Sequence, residues 1–424
     1  MHSPAPIRTR SGSQRIYIIG VGLFAALAIS LMLSGGWTAL EALGVNPLTL
    51  PWADARTITG AGVALEQGLD PLITNPGDPW DRVMNYPRAW LILAQSGIRP
   101  EHTWILAWTF FTALLAGLFT LRALAQDRTT SCLLLLSIFA PTTWLALERA
   151  NNDALIFGLA CGTAYLAALR PTLASGLIAT AALLKIYPIV ALVAHLREKP
   201  RTGLKYAIPL MALFTAYVLA TWHDLQLIEA GTLRAPGIAY GIETAPSIIA
   251  KNSPITLSLA LWVAAFILLI ACAIGYSLRS TTRLGATDNP FRLAAFRIGS
   301  AIYLGSFLIG SSFDYRLMFL IMTIPQLVAW MRNTTTGARK LACSQLVVII
   351  LIQWSQSWRA GMAITTDNER YGLVLDELLT WACWIGLAIL LLLTLPDWLV
   401  PPSKRGLAYA DAEQSPTQLD GQRA

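Results

Sequence analysis

Apolar residues in this chain arrive in long blocks, with no stripes of alternating apolar and polar positions between them. A helix rises 1.5 Å per residue, so about 20 apolar residues cross a hydrocarbon layer of roughly 30 Å. Blocks near that length fall at 16–33, 103–121, 131–147, 154–169, 206–222, 255–278, 293–311, 316–331, 341–358 and 373–398. The stretch 172–195 is also apolar, but Lys185 and Pro188 interrupt it. That interruption predicts two short helices meeting near Lys185-Ile186-Tyr187-Pro188. No ten-residue segment alternates with period two, which argues against a β-barrel. The pattern predicts an all-α polytopic membrane protein with about twelve membrane helices, two of them short.

Composition agrees: 55% of the 424 residues are hydrophobic and only 13% are charged. A soluble domain carries about twice that charged share. With residues 1–15 as a cytoplasmic tail and one crossing per block, about two thirds of the basic residues fall on cytoplasmic segments, and most acids on the other side. Arg122, Arg128 and Arg170 lie on those inner segments, as do the clusters 197–205, 279–297 and 332–340. The net charge of +7 is therefore a topology signal and does not point to nucleic acid. It places both termini in the cytoplasm and the multi-pass domain, 16–398, in the plasma (inner) membrane. The tail 399–424 is rich in Ala, Gln, Ser and Asp and reads as disordered. The first block is longer than a signal-peptide core and no A-x-A-like site follows before Trp37, so it reads as an anchor. The five cysteines sit in apolar blocks without metal-ligand spacing, and the four histidines form no cluster.

Function in such a chain is read from what interrupts the apolar blocks, because polar groups at that depth are costly. The largest interruption, 34–102, forms the first extracytoplasmic loop and carries amphipathic helix signals over 54–68. Asp54 opens that helix, and Asn85-Tyr86-Pro87 marks a later turn. The other polar breaks on that side are short. They are Glu148-Arg149-Ala150-Asn151-Asn152-Asp153, the Lys185 segment, and Ser312-Phe313-Asp314-Tyr315-Arg316. Taken singly, each has a plain explanation: a capping Asp54, a helix-end ion pair of Glu148, Arg149 and Asp153, a snorkelling Lys185, a local Asp314–Arg316 bridge. Taken together, Arg149, Lys185 and Arg316 lie at one membrane level, where three cations suit a phosphate at headgroup depth. A nearby carboxylate would supply a base. The cytoplasmic loops contain no nucleotide-binding glycine motif.

Five segments, in order, resemble blocks of glycosyltransferase family 87, polytopic GT-C enzymes that use polyprenyl-phosphate sugars. These are Asp54-Ala55-Arg56 running on to Glu66-Gln67-Gly68-Leu69-Asp70-Pro71, Asn85-Tyr86-Pro87, Glu148-Arg149-Ala150-Asn151 with Asp153, Leu184-Lys185-Ile186-Tyr187-Pro188, and Ser312-Phe313-Asp314-Tyr315-Arg316-Leu317. The resemblance spans about residues 16–331. Leu72 stands where the family tends to have Tyr, and Asn152 where an apolar residue is usual. The resemblance implies a GT-C-like fold and transfer of a hexose or pentose from a polyprenyl phosphate to an acceptor hydroxyl on the outer face. Inversion at the anomeric carbon is implied, as is a role in cell-envelope glycan or glycolipid synthesis, with a mannosyltransferase among the options. Asp54 is implied as the catalytic base. Lys185, Arg316 and Arg149 become the lipid-phosphate ligands, with Glu148, Asn151, Asp153, Tyr187, Asp314, Tyr315, Asn85 and Tyr86 as further site candidates.

This chemistry needs one base and no strong acid, because a phosphate leaves readily once cations stabilise it. No cofactor is expected. Asp367-Asn368-Glu369 has donors for a divalent ion but reads as an exposed loop. The expected partners are the lipid-linked donor, a glycan or glycolipid acceptor and membrane lipid. A surface-polysaccharide polymerase or ligase shares the lipid donor but usually places its large loop later in the chain. A lipid-linked sugar transporter or flippase would be expected to show internal repeats, and none stands out.

Overall fold

The computed structural model describes residues 12–399 apart from 197–198, 236, 280–281, 285–288, 335 and 367–368. The N-terminal tail to residue 11, the C-terminal tail from residue 400 and the Asp367-Asn368 loop lie outside the described residues.

The described residues are mostly helical. Their order is α1 (Gly12–Ser34), α2 (Ala53–Glu66), α3 (Leu91–Gln95), α4 (Thr103–Leu121), α5 (Arg128–Ile138), α6 (Pro141–Glu148), α7 (Asp153–Leu169) and α8 (Pro171–Leu184). There follow α9 (Pro200–Ala220), α10 (Trp222–Gly231), β1 (Ala239–Tyr240), α11 (Thr244–Asn252), α12 (Leu257–Arg279) and α13 (Pro290–Leu308). The last part comprises β2 (Ser312–Phe313), α14 (Ile324–Asn333), α15 (Thr336–Gln353), α16 (Ser355–Thr366) and α17 (Glu369–Leu393). Two 3₁₀ segments, Tyr187–His195 and Asp314–Thr323, replace α-helix just after Lys185 and around Arg316. β1 and β2 form a minimal antiparallel pair, Ala239 opposite Phe313 and Tyr240 opposite Ser312.

Among the described residues, five helices are long and apolar enough to cross a membrane: Gly12–Ser34, Pro100–Leu121, Pro200–Ala220, Leu257–Arg279 and Arg370–Leu393. Two bent pairs raise that to seven: α5 with α6, bent by 43°, and α15 with α16, bent by 67°. The helices α7 and α8 are shorter apolar elements. The protein is thus a multi-pass helical bundle. The expected twelve crossings exceed the spans that single helices supply, because several apolar blocks fold as broken or 3₁₀ segments. The 172–195 block does break at Lys185, with its second half 3₁₀.

Close helix packing rests on small residues, as it must where lipid supplies no drive for helices to associate. At Gly158 of α7 a Cβ would come within 2.4 Å of the Ala113 carbonyl on α4. Large apolar side chains on α9 and α12, such as Leu213, Leu219, Trp262 and Phe266, remain exposed and form a lipid-facing surface. The two ends of the bundle differ. Arg332 on α14 pairs with Asp127 before α5 at 2.9 Å, and Gln14 on α1 reaches the Arg122 carbonyl. The first loop lies at the opposite end. There the Asp70 carboxylate binds Arg88, which also holds Asp224 of α10 at 2.8 Å. The Arg88 hydrogen bonds keep the Asp70 carboxyl below the usual carboxylate range. The tie is therefore intact at neutral pH and weakens only as the pH falls through that lowered range.

Candidate functional site

The site is built on a turn. α6 ends at Glu148, and the chain reverses through Ala150, whose φ of 44° is left-handed, before α7 starts at Asp153. The first loop docks on this turn by backbone: Trp52 N–H donates to the Glu148 carbonyl at 2.7 Å and Asp54 N–H to the Arg149 carbonyl at 2.9 Å. Trp52 is left-handed too, with φ 67°. Two non-glycine residues in this region, a few residues from the same carboxylates, mark a backbone held in place by its surroundings.

Asp54 lies inside the first turn of α2 and is not its cap; that position belongs to Trp52. Its carboxylate is free of local capping and sits at a helix N-terminus, which favours negative charge. Asn151 Nδ2 donates to Asp54 Oδ2 at 2.6 Å, and Arg82 Nη1 lies 3.5 Å from Oδ1. The Asp54 side chain keeps 17% of its surface open. Arg82 is itself held by Asp78, at 2.8 Å, and by the Ala53 carbonyl. Its turn packs on α2 because Gly60 and Gly77 let the two backbones touch; a Cβ on Gly77 would meet the Gly60 carbonyl at 2.5 Å.

One turn further on, Asp153 is wholly buried and gathers two cations. Lys185 Nζ stands 2.6 Å from Oδ1 and Arg316 Nε 3.2 Å from Oδ2, while the Tyr187 hydroxyl donates to Oδ1 at 2.5 Å. Lys185 spends its other two N–H bonds on Asn152 Oδ1, at 2.7 Å, and Asn151 Oδ1, at 3.2 Å. Arg316 Nη1 donates to Ser312 Oγ at 2.6 Å. Tyr86, Tyr187 and Tyr315 surround the ammonium with ring centroids 5.6–5.9 Å away, and Arg316 lies 5.0 Å over Tyr187. Burial pushes the Tyr86 phenol well above its ordinary range, so it stays neutral beside these charges.

Lys185 and Arg316 share the one carboxylate of Asp153, while Arg82 is shared by the two carboxylates of Asp54 and Asp78. The arrangement offers two partly open groups, the Asp54 carboxylate and the Arg316 guanidinium, beside the buried Lys185–Asp153 pair.

The structure gathers Asp54, Tyr86, Asn151, Asp153, Lys185, Tyr187, Tyr315 and Arg316 at one place. Arg149 and Glu148 share the turn but pair with each other at 2.6 Å; Glu148 also accepts from Leu48 N–H, and Arg149 from its other nitrogen reaches the Asn46 carbonyl. Asp314 faces Gln356, at 3.5 Å, and does not bridge to Arg316. Asn85 is half-buried in the loop before Tyr86. Sequence reasoning did not place Arg82, Ser312 or Asn152 among the site candidates. The only signal for Asn152 was its polarity at a usually apolar position. Its Nδ2 is buried without a partner among the described residues, an arrangement that costs about 1–3 kcal/mol. No cluster of metal-ligating side chains occurs among the described residues. Set against protein-family models, curated proteins and solved structures, the chain matches none.

Proposed function

We propose that the protein is an integral-membrane glycosyltransferase of GT-C type, moving a hexose or pentose from a polyprenyl phosphate to an acceptor hydroxyl at the outer face. The observation that carries this reading is the placing of a partly open carboxylate, Asp54, beside Asp153 and its two cations, the two residues being linked through Asn151. In the proposed reaction Asp54 takes the acceptor hydroxyl proton. The acceptor oxygen bonds to the anomeric carbon from the face opposite the phosphate, the carbon–oxygen bond to phosphate breaks, and polyprenyl phosphate leaves. Arg316 offsets the charge that grows on that phosphate. Arg316 is the group with N–H bonds to spare, since its Nη2 has no hydrogen bond among the described residues. The deciding experiment incubates purified protein with candidate polyprenyl-phosphate sugars and follows release of polyprenyl phosphate. No release from any hexosyl or pentosyl donor would sink the reading.

Two further results are expected. Arg316→Ala should weaken polyprenyl phosphate binding by roughly ten- to a hundredfold, the worth of one charge-assisted contact; unchanged affinity would make Arg316 structural. The orientation implied by the charge bias predicts that single cysteines beside Asp54, Lys185 and Arg316, in a Cys-free background, react with an impermeant thiol reagent on intact cells. Labelling beside 199–205 in their place would invert the topology.

The bent pairs α5–α6 and α15–α16 favour one second reading, since broken spans line the sites of many transporters. A transporter moves its substrate without releasing polyprenyl phosphate, so the same assay separates the two.

A further inference from the structure

We propose that Asn151 is a positioning residue for Asp54, and that Lys185 acts on Asp54 through it. The proposal rests on reading Asp54 as the base.

An amide side chain can face either way, and here its direction is fixed from two sides. Asn151 Oδ1 accepts from Lys185 Nζ at 3.2 Å and from the Asp153 backbone N–H at 2.8 Å. Both are donors, so only the carbonyl oxygen can face them, and the NH₂ group must point the other way. It points at Asp54 Oδ2, 2.6 Å distant. The Asn151 side chain is fully buried and cannot exchange this arrangement for water. With Arg82 near Oδ1, the carboxylate is held at both oxygens and presents one fixed edge to the open side. Lys185, for its part, has three N–H bonds, and Asp153, Asn152 and Asn151 take all three. An ammonium without a spare donor adds charge near a phosphate but makes no contact with it unless one of these bonds is given up. Its geometric effect is on Asn151. The chain Lys185–Asn151–Asp54 links the positive centre to the base through one amide.

The test compares purified full-length wild type, Asn151→Ser, Lys185→Met and the double variant, using a polyprenyl-phosphate hexose that the wild type turns over. Serine keeps an oxygen for the Asp153 N–H, as in ordinary Ser turns, but cannot reach Asp54. Each single variant should lose kcat by roughly ten- to a hundredfold, with donor KM and polyprenyl phosphate Kd within about threefold of wild type. The double variant should be no slower than the worse single one, because both changes break the same chain. Full turnover in Asn151→Ser overturns the proposal. So does a rise in KM and Kd for Lys185→Met that multiplies with Asn151→Ser, since that pattern means direct phosphate contact. Should Lys185→Met not fold, Asn151→Ser alone decides, by a fall in kcat at constant KM or its absence. Asp54→Asn is run alongside. If it keeps full turnover, the base reading fails, and the positioning proposal with it. If it is inactive while Asn151→Ser is not, only the positioning proposal fails.

Discussion

Asp54→Asn is expected to lower sugar transfer by about a hundredfold or more, with donor affinity and thermal stability close to wild type. Asparagine has nearly the same shape, and its oxygen can still accept the Asn151 hydrogen bond. It cannot accept a proton at neutral pH. The substitution is a clean test here because Asp54 does not cap α2 and its carboxylate makes no hydrogen bond within its own helix. Turnover and donor binding measured side by side give the answer. Full turnover in the variant would remove Asp54 from the mechanism. The neighbouring carboxylates would be poor replacements, since Asp153 is sealed by two cations and Asp314 is turned toward Gln356.

The largest effect on stability is expected at Asp153. Removing this carboxylate by Asp153→Ala takes from the buried Lys185, and from the partly exposed Arg316 beside it, the one carboxylate in contact with both. Breaking a buried ion pair from one side costs about 3–5 kcal/mol, and here two cations lose the same partner. The variant should melt far below wild type in detergent, or fail to accumulate in the membrane. Asp153→Asn, which keeps acceptor oxygen but no charge, should fall between the two. A melting temperature unchanged in Asp153→Ala would mean that water reaches these cations, and that the site is wetter than its burial indicates.

The sequence made the helical bundle legible because apolar block length is a strong signal. The block 103–121 coincides with α4, whereas 131–147, read as one crossing, breaks before Pro141, a mark in the sequence that went unread. The bend between α15 and α16 had no such mark. It follows from contacts far along the chain: Gln353 Nε2 donates to the Leu317 carbonyl, its oxygen accepts from Ser137, and Trp354 Nε1 reaches the Leu136 carbonyl. The site was legible in its members, since charged residues in apolar surroundings stand out. Their pairing was not. Three cations at one level could not reveal that Asp153 would claim Lys185 and Arg316 while Glu148 claimed Arg149. That sorting depends on side-chain direction at the end of α6, where the left-handed Ala150 turns Arg149 and Asp153 apart. Arg82 was equally hidden, because its approach to Asp54 depends on the contact of Gly60 with Gly77.

The pairing across α7 and α8 also bears on how the chain is made. Asp153 begins α7 and Lys185 follows the last residue of α8, so the two charges sit together at the open end of a helical hairpin. During synthesis Arg316 emerges long after both of them. Until then Lys185 and Tyr187 are the partners Asp153 has at hand, and they arrive within one hairpin length. A hairpin that carries its own counter-ion can partition into the bilayer as a unit, at less cost than two singly charged helices entering one by one. A Lys185→Met nascent chain released before residue 300 should therefore insert its seventh and eighth helices poorly, even where the complete protein is later rescued by Arg316. The residue pair that shapes the site would then also set the order in which the membrane accepts the polypeptide.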